Sequence, residues 1–208
     1  MKRSSLLAAI LALVVLAPPL ALAAETAQVT VGSTLDNLQA AYNGESNASA
    51  KYLEFAKQAD KEGYAGVASL FRAASRAEAV HAAKHATVIK SLGGTPTAKI
   101  EPAPVKSTKE NLEAAIAGET YERDAMYPQF LGKAKTDRNK DAIESFNYAK
   151  TAEAEHAVLY ADALKNIDAW KAKRTFYVCT ICGYTVIELP KDKCVSCFSP
   201  KDKYEAVS

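Results

Sequence analysis

The chain has 208 residues, enough for one core domain and a small appendage, and its charges nearly cancel at 26 Lys+Arg against 24 Asp+Glu. The excess is Lys2 and Arg3, so the rest balances at 24 against 24 and gives no reason to expect nucleic acid or an anionic membrane as partner. Only four cysteines occur, all near the C-terminus, which confines thiol chemistry to the tail.

Lys2 and Arg3 precede an apolar run from Leu6 to Ala17, then Pro18-Pro19 and Ala21-Leu22-Ala23. This is the pattern of a secretory signal peptide over residues 1–23. The apolar run is short for a membrane span, which needs about 20 residues. The sequence therefore predicts cleavage near Ala23 and export, to the periplasm, of a protein that no longer touches the membrane.

A first helix is predicted from Ser33 or Thr34 to just before Gly63, with Asp36 in its first turn. Ala41, Glu45, Ala48, Tyr52 and Phe55 recur at spacings of four and three, which puts Glu45 in the buried stripe. A second helix runs from about Tyr64 to Leu92 and stops at Gly93-Gly94, with Phe71, Ala74, Glu78, His81, His85 and Val88 inward. Thr95 to Val105 carries three prolines and no helical pattern, so it reads as an extended connector long enough to cross a bundle. Ser107-Thr108-Lys109-Glu110 is a capping box for a third helix. Its stripe is Ala115, Glu119, Glu122 and Met126, with Tyr127 beside it and a kink expected at Pro128. A fourth helix follows Asp137, turns Phe146, Ala149, Glu153, His156, Tyr160 and Leu164 inward, and fades near Trp170. The domains expected are thus a four-helix bundle over 24–170 and a tail over 171–208.

The halves of the bundle resemble each other. Asn37-Leu38-Gln39-Ala40-Ala41 and Gly44-Glu45 return 74 residues later as Asn111-Leu112-Glu113-Ala114-Ala115 and Gly118-Glu119, while Glu78-x-x-His81 returns after 75 as Glu153-x-x-His156. Residues i and i+3 share a helix face, so each Glu-x-x-His aims a carboxylate and an imidazole the same way. Two such helices and two single-glutamate helices are the ligand set of a carboxylate-bridged dinuclear metal site in a four-helix bundle. Glu45, Glu78, Glu119, Glu122 and Glu153 cannot stay ionised together in an apolar interior without counter-charge. Their five negative charges face +4 in a divalent pair and +6 in a trivalent pair, so the site is near neutral in both states. Mixed oxygen and nitrogen ligation suits iron or manganese. His85, one turn past a ligand, reads as a supporting or surface group. Tyr52 and Tyr127 read equally as core aromatics or as donors to a ligand or to bound oxygen species.

The tail carries Cys179-x-x-Cys182 and Cys194-x-x-Cys197, which make a tetrahedral four-sulfur site for zinc or a single iron, with a pair of disulfides as the alternative. So short a tail cannot bury enough surface to fold alone, which makes the metal part of its stability. Zinc would make the tail structural, and iron a one-electron carrier.

Taken together, Asn43-Gly44-Glu45-Ser46, Phe71-Arg72 through Glu78-x-x-His81, Gly118-Glu119-Thr120-Tyr121-Glu122 with Met126-Tyr127-Pro128, Glu153-x-x-His156 and the paired knuckles resemble the rubrerythrin family. That resemblance covers nearly everything from Leu38 to Tyr204. It implies an all-α, ferritin-like four-helix bundle with a long crossover between the second and third helices, plus a rubredoxin-like iron domain. It implies that Glu45, Glu78, Glu119, Glu122, Glu153 and His156 ligate two irons. His81 is similar to the histidine that replaces a glutamate, here Glu122, on reduction. The resemblance further implies Cys179, Cys182, Cys194 and Cys197 as ligands of a third iron, Tyr52 and Tyr127 near the cluster, hydrogen peroxide as substrate and a homodimer in which the tail of one subunit lies near the di-iron site of the other. Export points to an electron donor other than cytoplasmic NADH, a small exported redox protein that no residue identifies. The rival functions are a ferritin-type ferroxidase, against which the tail argues, and a structural or electron-shuttling module with zinc at the cysteines.

Overall fold

The computed structural model describes residues 29–208, and the predicted signal peptide lies outside them. Helix α1 spans Thr34–Lys61 and α2 Ala65–Ser91, joined through Gly63 at φ +82°. Ser33 and Asp36 cap α1 reciprocally, and Ser107 and Glu110 repeat the device for α3, Thr108–Tyr121. The chain then passes through a π-helical turn, Glu122–Met126, into α4, Tyr127–Thr136. The irregularity expected at Pro128 lies ahead of it: the wide π turn immediately precedes the proline, whose missing N–H leaves the helical ladder one bond short where α4 begins. Helix α5, Lys140–Lys165, starts later than expected after Asp137: Arg138 adopts φ +55° and the Asn139 side chain caps the Ala142 N–H at 2.9 Å.

The connector after α2 is fixed along α1 by three residues one turn apart. Gln39 accepts from the Thr97 N–H, Asn43 from the Lys99 N–H at 2.9 Å, and Asn47 from the Glu101 N–H at 2.8 Å. Four helical residues rise about 6 Å and two extended residues span about 6.6 Å, so the two periods match. The connector thus climbs beside α1, and the Thr108 N–H meets Glu62 at the far end. Helix α3 starts there, α4 returns to Thr34 through Asp137, and α5 climbs again. This is the long-crossover bundle expected.

Two apolar clusters fill the interior. One gathers Tyr52, Phe55, Phe71, Ala115 and Tyr160, the other Leu38, Val88, Tyr127, Phe130 and Phe146. Glu45 lies between Ala41 of the second cluster and Ala48 of the first, and Glu119 between Ala115 of the first and Met126 of the second. The ionisable residues therefore form one polar layer between two apolar plugs.

The tail folds as a small antiparallel sheet of order β2-β1-β3, with β1 at Phe176–Cys179, β2 at Thr185–Val186 and β3 at Tyr204–Val207. Phe176 and Val178 belong to the bundle's first cluster, and Phe176 stacks on Trp170 at 6.0 Å and 15°. The tail thus shares a core with the bundle, and an Arg76–Glu205 ion pair ties β3 to α2. Among the described residues no helix is long and apolar enough to cross a membrane.

Candidate metal centres

One glutamate from each of four helices reaches the polar layer, and Glu45, Glu78, Glu119 and Glu153 are all buried with His81 and His156. Their donor atoms fall into two overlapping groups, Glu45–Glu78–His81–Glu153 and Glu78–Glu119–Glu153–His156, each spanning no more than 4.8 Å. Glu78 and Glu153 belong to both, which is the arrangement of bridging carboxylates between two ions. His81 Nδ1 lies 2.9 Å from Glu78 and 3.1 Å from Glu153, and His156 Nδ1 lies 2.9 Å from Glu153.

Each of the four glutamates also keeps one buried oxygen with no hydrogen-bond partner: Glu45 Oε2, Glu78 Oε1, Glu119 Oε2 and Glu153 Oε1. An orphaned buried carboxylate oxygen costs the full desolvation of a charged group. Four orphans facing two imidazole nitrogens is what a pair of cations satisfies, so the residues fit a dinuclear centre.

The electrostatics agree. Burial, then the charges of Glu122, Glu78 and Glu153, push Glu45 well above the usual carboxylate range, and burial with Glu153 and Glu78 pushes Glu119 up to about 8. Burial acts the same way on Glu78, but the His156 and His81 imidazoles beside it outweigh burial and hold the group ionised. Against burial, the neighbouring Glu153 and Glu78 carboxylates lift His81 to about 10. Without a cation Glu45, Glu119 and His81 favour their protonated forms, and metal binding at such ligands releases protons.

Glu122 stands outside both donor groups and is only half-buried, while His81 stands inside. The proximity of Glu119, Glu153 and Glu78 still raises the Glu122 carboxyl, second to its loss of solvent. Tyr52 donates to Glu119 Oε1 at 2.5 Å and Tyr127 donates to Glu45 Oε1, so each tyrosine serves the glutamate of the other half. His85 is fully buried, faces Ser145 Oγ at 2.7 Å through Nδ1 and the Tyr127 hydroxyl at 3.2 Å through Nε2, and stays outside the donor groups, which makes it a supporting group. Burial, then the His81 charge, holds it neutral down to about 3.

In the tail the four cysteines lie together, with Cys179–Cys197 at 3.7 Å and Cys182–Cys194 at 3.6 Å between sulfurs. Disulfides need about 2 Å. The edge of a tetrahedron with metal–sulfur bonds near 2.3 Å is about 3.8 Å, so the spacing fits a four-cysteine metal site.

The centres meet directly and within one chain, where the family resemblance implies a meeting between subunits. His81 Nε2 lies 3.1 Å from the Cys182 carbonyl and His156 Nε2 lies 3.0 Å from Thr185 Oγ1. Gly183, between them, allows the approach. Sequence reasoning missed Thr185 and Ser145, since a threonine after a cysteine knuckle and a serine next to a core phenylalanine carry no signal of their own.

Bundle and donor sets define a ferritin-like dinuclear metalloprotein with a rubredoxin-like four-cysteine module, the pair of sites fitting a di-iron centre and an iron–cysteine centre. Residues 36–164 match the family model for rubrerythrin. Nigerythrin of Nitratidesulfovibrio vulgaris is 40% identical over 180 residues, 86% of this chain and 89% of that protein. Rubrerythrin-2 of Clostridium acetobutylicum is 35% identical over 181 residues, 83% and 96%. A solved structure of nigerythrin in its fully reduced, all-ferrous state matches with a TM-score of 0.80 at 39% identity, covering 86% of this chain and 88% of that one. The chain belongs to the rubrerythrin family, a family of di-iron oxidoreductases.

Proposed function

We propose that the protein is an exported peroxidase that reduces hydrogen peroxide to water, consuming two electrons and two protons per molecule and drawing its electrons through the four-cysteine centre. The observation that carries this reading is the contact between centres: a cysteine ligand's own carbonyl touches an imidazole of the dinuclear site. Iron storage has no use for such a junction, whereas a redox enzyme refilled one electron at a time does. When bound, the two irons supply both electrons for the O–O bond and the positive charge that stabilises the departing oxygens.

The chain's own residues supply the protons and the geometry. Tyr127 donates to Glu45, so its oxygen accepts from His85 Nε2–H, and His85 Nδ1 accepts from Ser145 Oγ–H. Each donor in this series points inward. Its outer end, Ser145, lines a surface cleft of about 170 Å³ beside Lys84, Asp141 and Glu144. On the other half Tyr52 holds Glu119, but Tyr160 stands 75 residues after His85 and its hydroxyl has no partner. Proton delivery therefore has one side. Glu122 outside and His81 inside are the two groups placed to exchange at the centre.

Anaerobically reduced holoprotein mixed with peroxide or with dioxygen in a stopped-flow instrument tests the reading. Oxidation by peroxide is expected to be much the faster, with Glu122→Ala slowing it, and equal rates for both oxidants would overturn it. Export is part of the proposal, since Ala24 as the first residue of the periplasmic protein is checked by mass spectrometry. So are an exported redox partner and a homodimer, the latter read by sedimentation.

A further inference from the structure

We infer that the cysteine module is a structural half of the dinuclear centre, with Thr185 as the positioning residue that fixes the tautomer and aim of His156. The inference rests on the dinuclear site and not on peroxide as substrate.

A carbonyl oxygen only accepts, so His81 must donate from Nε2 to the Cys182 carbonyl. Thr185 Oγ1 is 3.2 Å from the Gly183 carbonyl, and that bond takes the single hydroxyl proton. The hydroxyl oxygen is then left to accept from His156 Nε2–H at 3.0 Å. Both rings consequently present Nδ1, the nitrogen facing the glutamates, with no choice of tautomer once a cation displaces its proton.

One loop sets both rings. Cys182, Gly183 and Thr185 lie within four residues, Thr185 is fully buried, and Val178 of β1 holds it in register. The two imidazoles, related by the internal repeat, receive unlike acceptors. His81 leans on a backbone atom that no substitution removes, whereas His156 depends on one side chain. The bundle alone offers His156 Nε2 no other partner among the described residues.

The test uses the full chain loaded with zinc, which is diamagnetic. In the wild type, imidazole ¹⁵N–¹H spectra are expected to show a protected Nε2–H on both His81 and His156. In Thr185→Val the His156 signal is lost by exchange, and in Thr185→Ser it returns. Chelator competition on the iron-loaded protein is expected to draw off bundle metal at about 10–100-fold lower chelator in Thr185→Val, while the four-cysteine absorption stays. Loss of that absorption would show misfolding, and the serine variant then decides alone. A wild-type His156 protonated at Nδ1, or a valine variant holding bundle metal like the wild type, overturns the inference. Slow peroxide turnover with the expected spectra would instead refute only the proposed function.

Discussion

Replacing Gly183 by alanine probes the junction between the centres. A Cβ there would lie 2.2 Å from His81 Nε2 and 2.7 Å from Cδ2 of the same ring. Real atoms do not approach so closely, so ring or loop must withdraw. Conformation is the smaller cost: Gly183 has φ +77°, and the left-handed region costs a residue with a side chain about 1–2 kcal/mol. The second knuckle shows that this cost is tolerated, because Phe198 follows Cys197 as Gly183 follows Cys182, at φ +59°, with its side chain 71% exposed. The glycine is therefore required by His81 and not by the turn. Withdrawal breaks the bond to the Cys182 carbonyl, and losing a partner that orients a metal ligand costs about 10–100-fold in affinity or activity. Gly183→Ala is expected to keep its four-cysteine absorption, yet after a peroxide pulse its tail iron should be oxidised at least about tenfold more slowly. Phe198→Gly should keep wild-type kinetics and gain about 1 kcal/mol in denaturant unfolding. Wild-type electron transfer in a fully loaded Gly183→Ala protein would refute the reasoning.

Tyr127→Phe and Tyr52→Phe each strip a buried carboxylate of a hydrogen bond worth about 1.5–3 kcal/mol. Both should slow peroxide turnover without changing iron content, and the Tyr127 variant should suffer more because it also cuts the series from Ser145. His85 is held neutral to about 3, so the native state binds fewer protons there than the unfolded chain, and stability falls as pH drops from the unfolded value near 6.5. The difference in unfolding free energy between wild type and His85→Phe should therefore change with pH between about 6.5 and 3 and level off above; a constant difference would refute the assignment. Deleting Ala125 should turn the π turn into plain α-helix, leave both iron pairs of ligands in register and lower turnover through Glu122, as iron counting and stopped-flow rates would show.

Helix starts, inward stripes and the crossover were legible because each rests on a local rule. Ser33 and Ser107 cap as their neighbours dictate, and Ala41, Glu45, Ala48, Tyr52 and Phe55 are all buried. Contacts across long separations were not legible. That Tyr52 serves Glu119 and Tyr127 serves Glu45 follows from how the halves clasp, and that Thr185 meets His156 follows from where β1 docks in the bundle core. A tail whose strand contributes Phe176 and Val178 to that core is not held by its metal alone.

The π turn had a signature in the sequence. Asn37 and Glu45 repeat at 74 residues, whereas Tyr52, Glu78 and His81 repeat at 75, so one residue has been inserted between Glu119 and Tyr127. A helix absorbs a single inserted residue as a π bulge, because the residues downstream then keep their faces. The bulge found, Glu122–Met126, fills that interval. Glu122 therefore sits where the two halves cease to be equivalent, on backbone whose hydrogen-bond ladder is already interrupted. The insertion spares Tyr127, Glu153 and His156 their register, and within the same interval one half of a near-symmetric site carries a carboxylate, Glu122, that stands outside the donor groups while His81 stands inside.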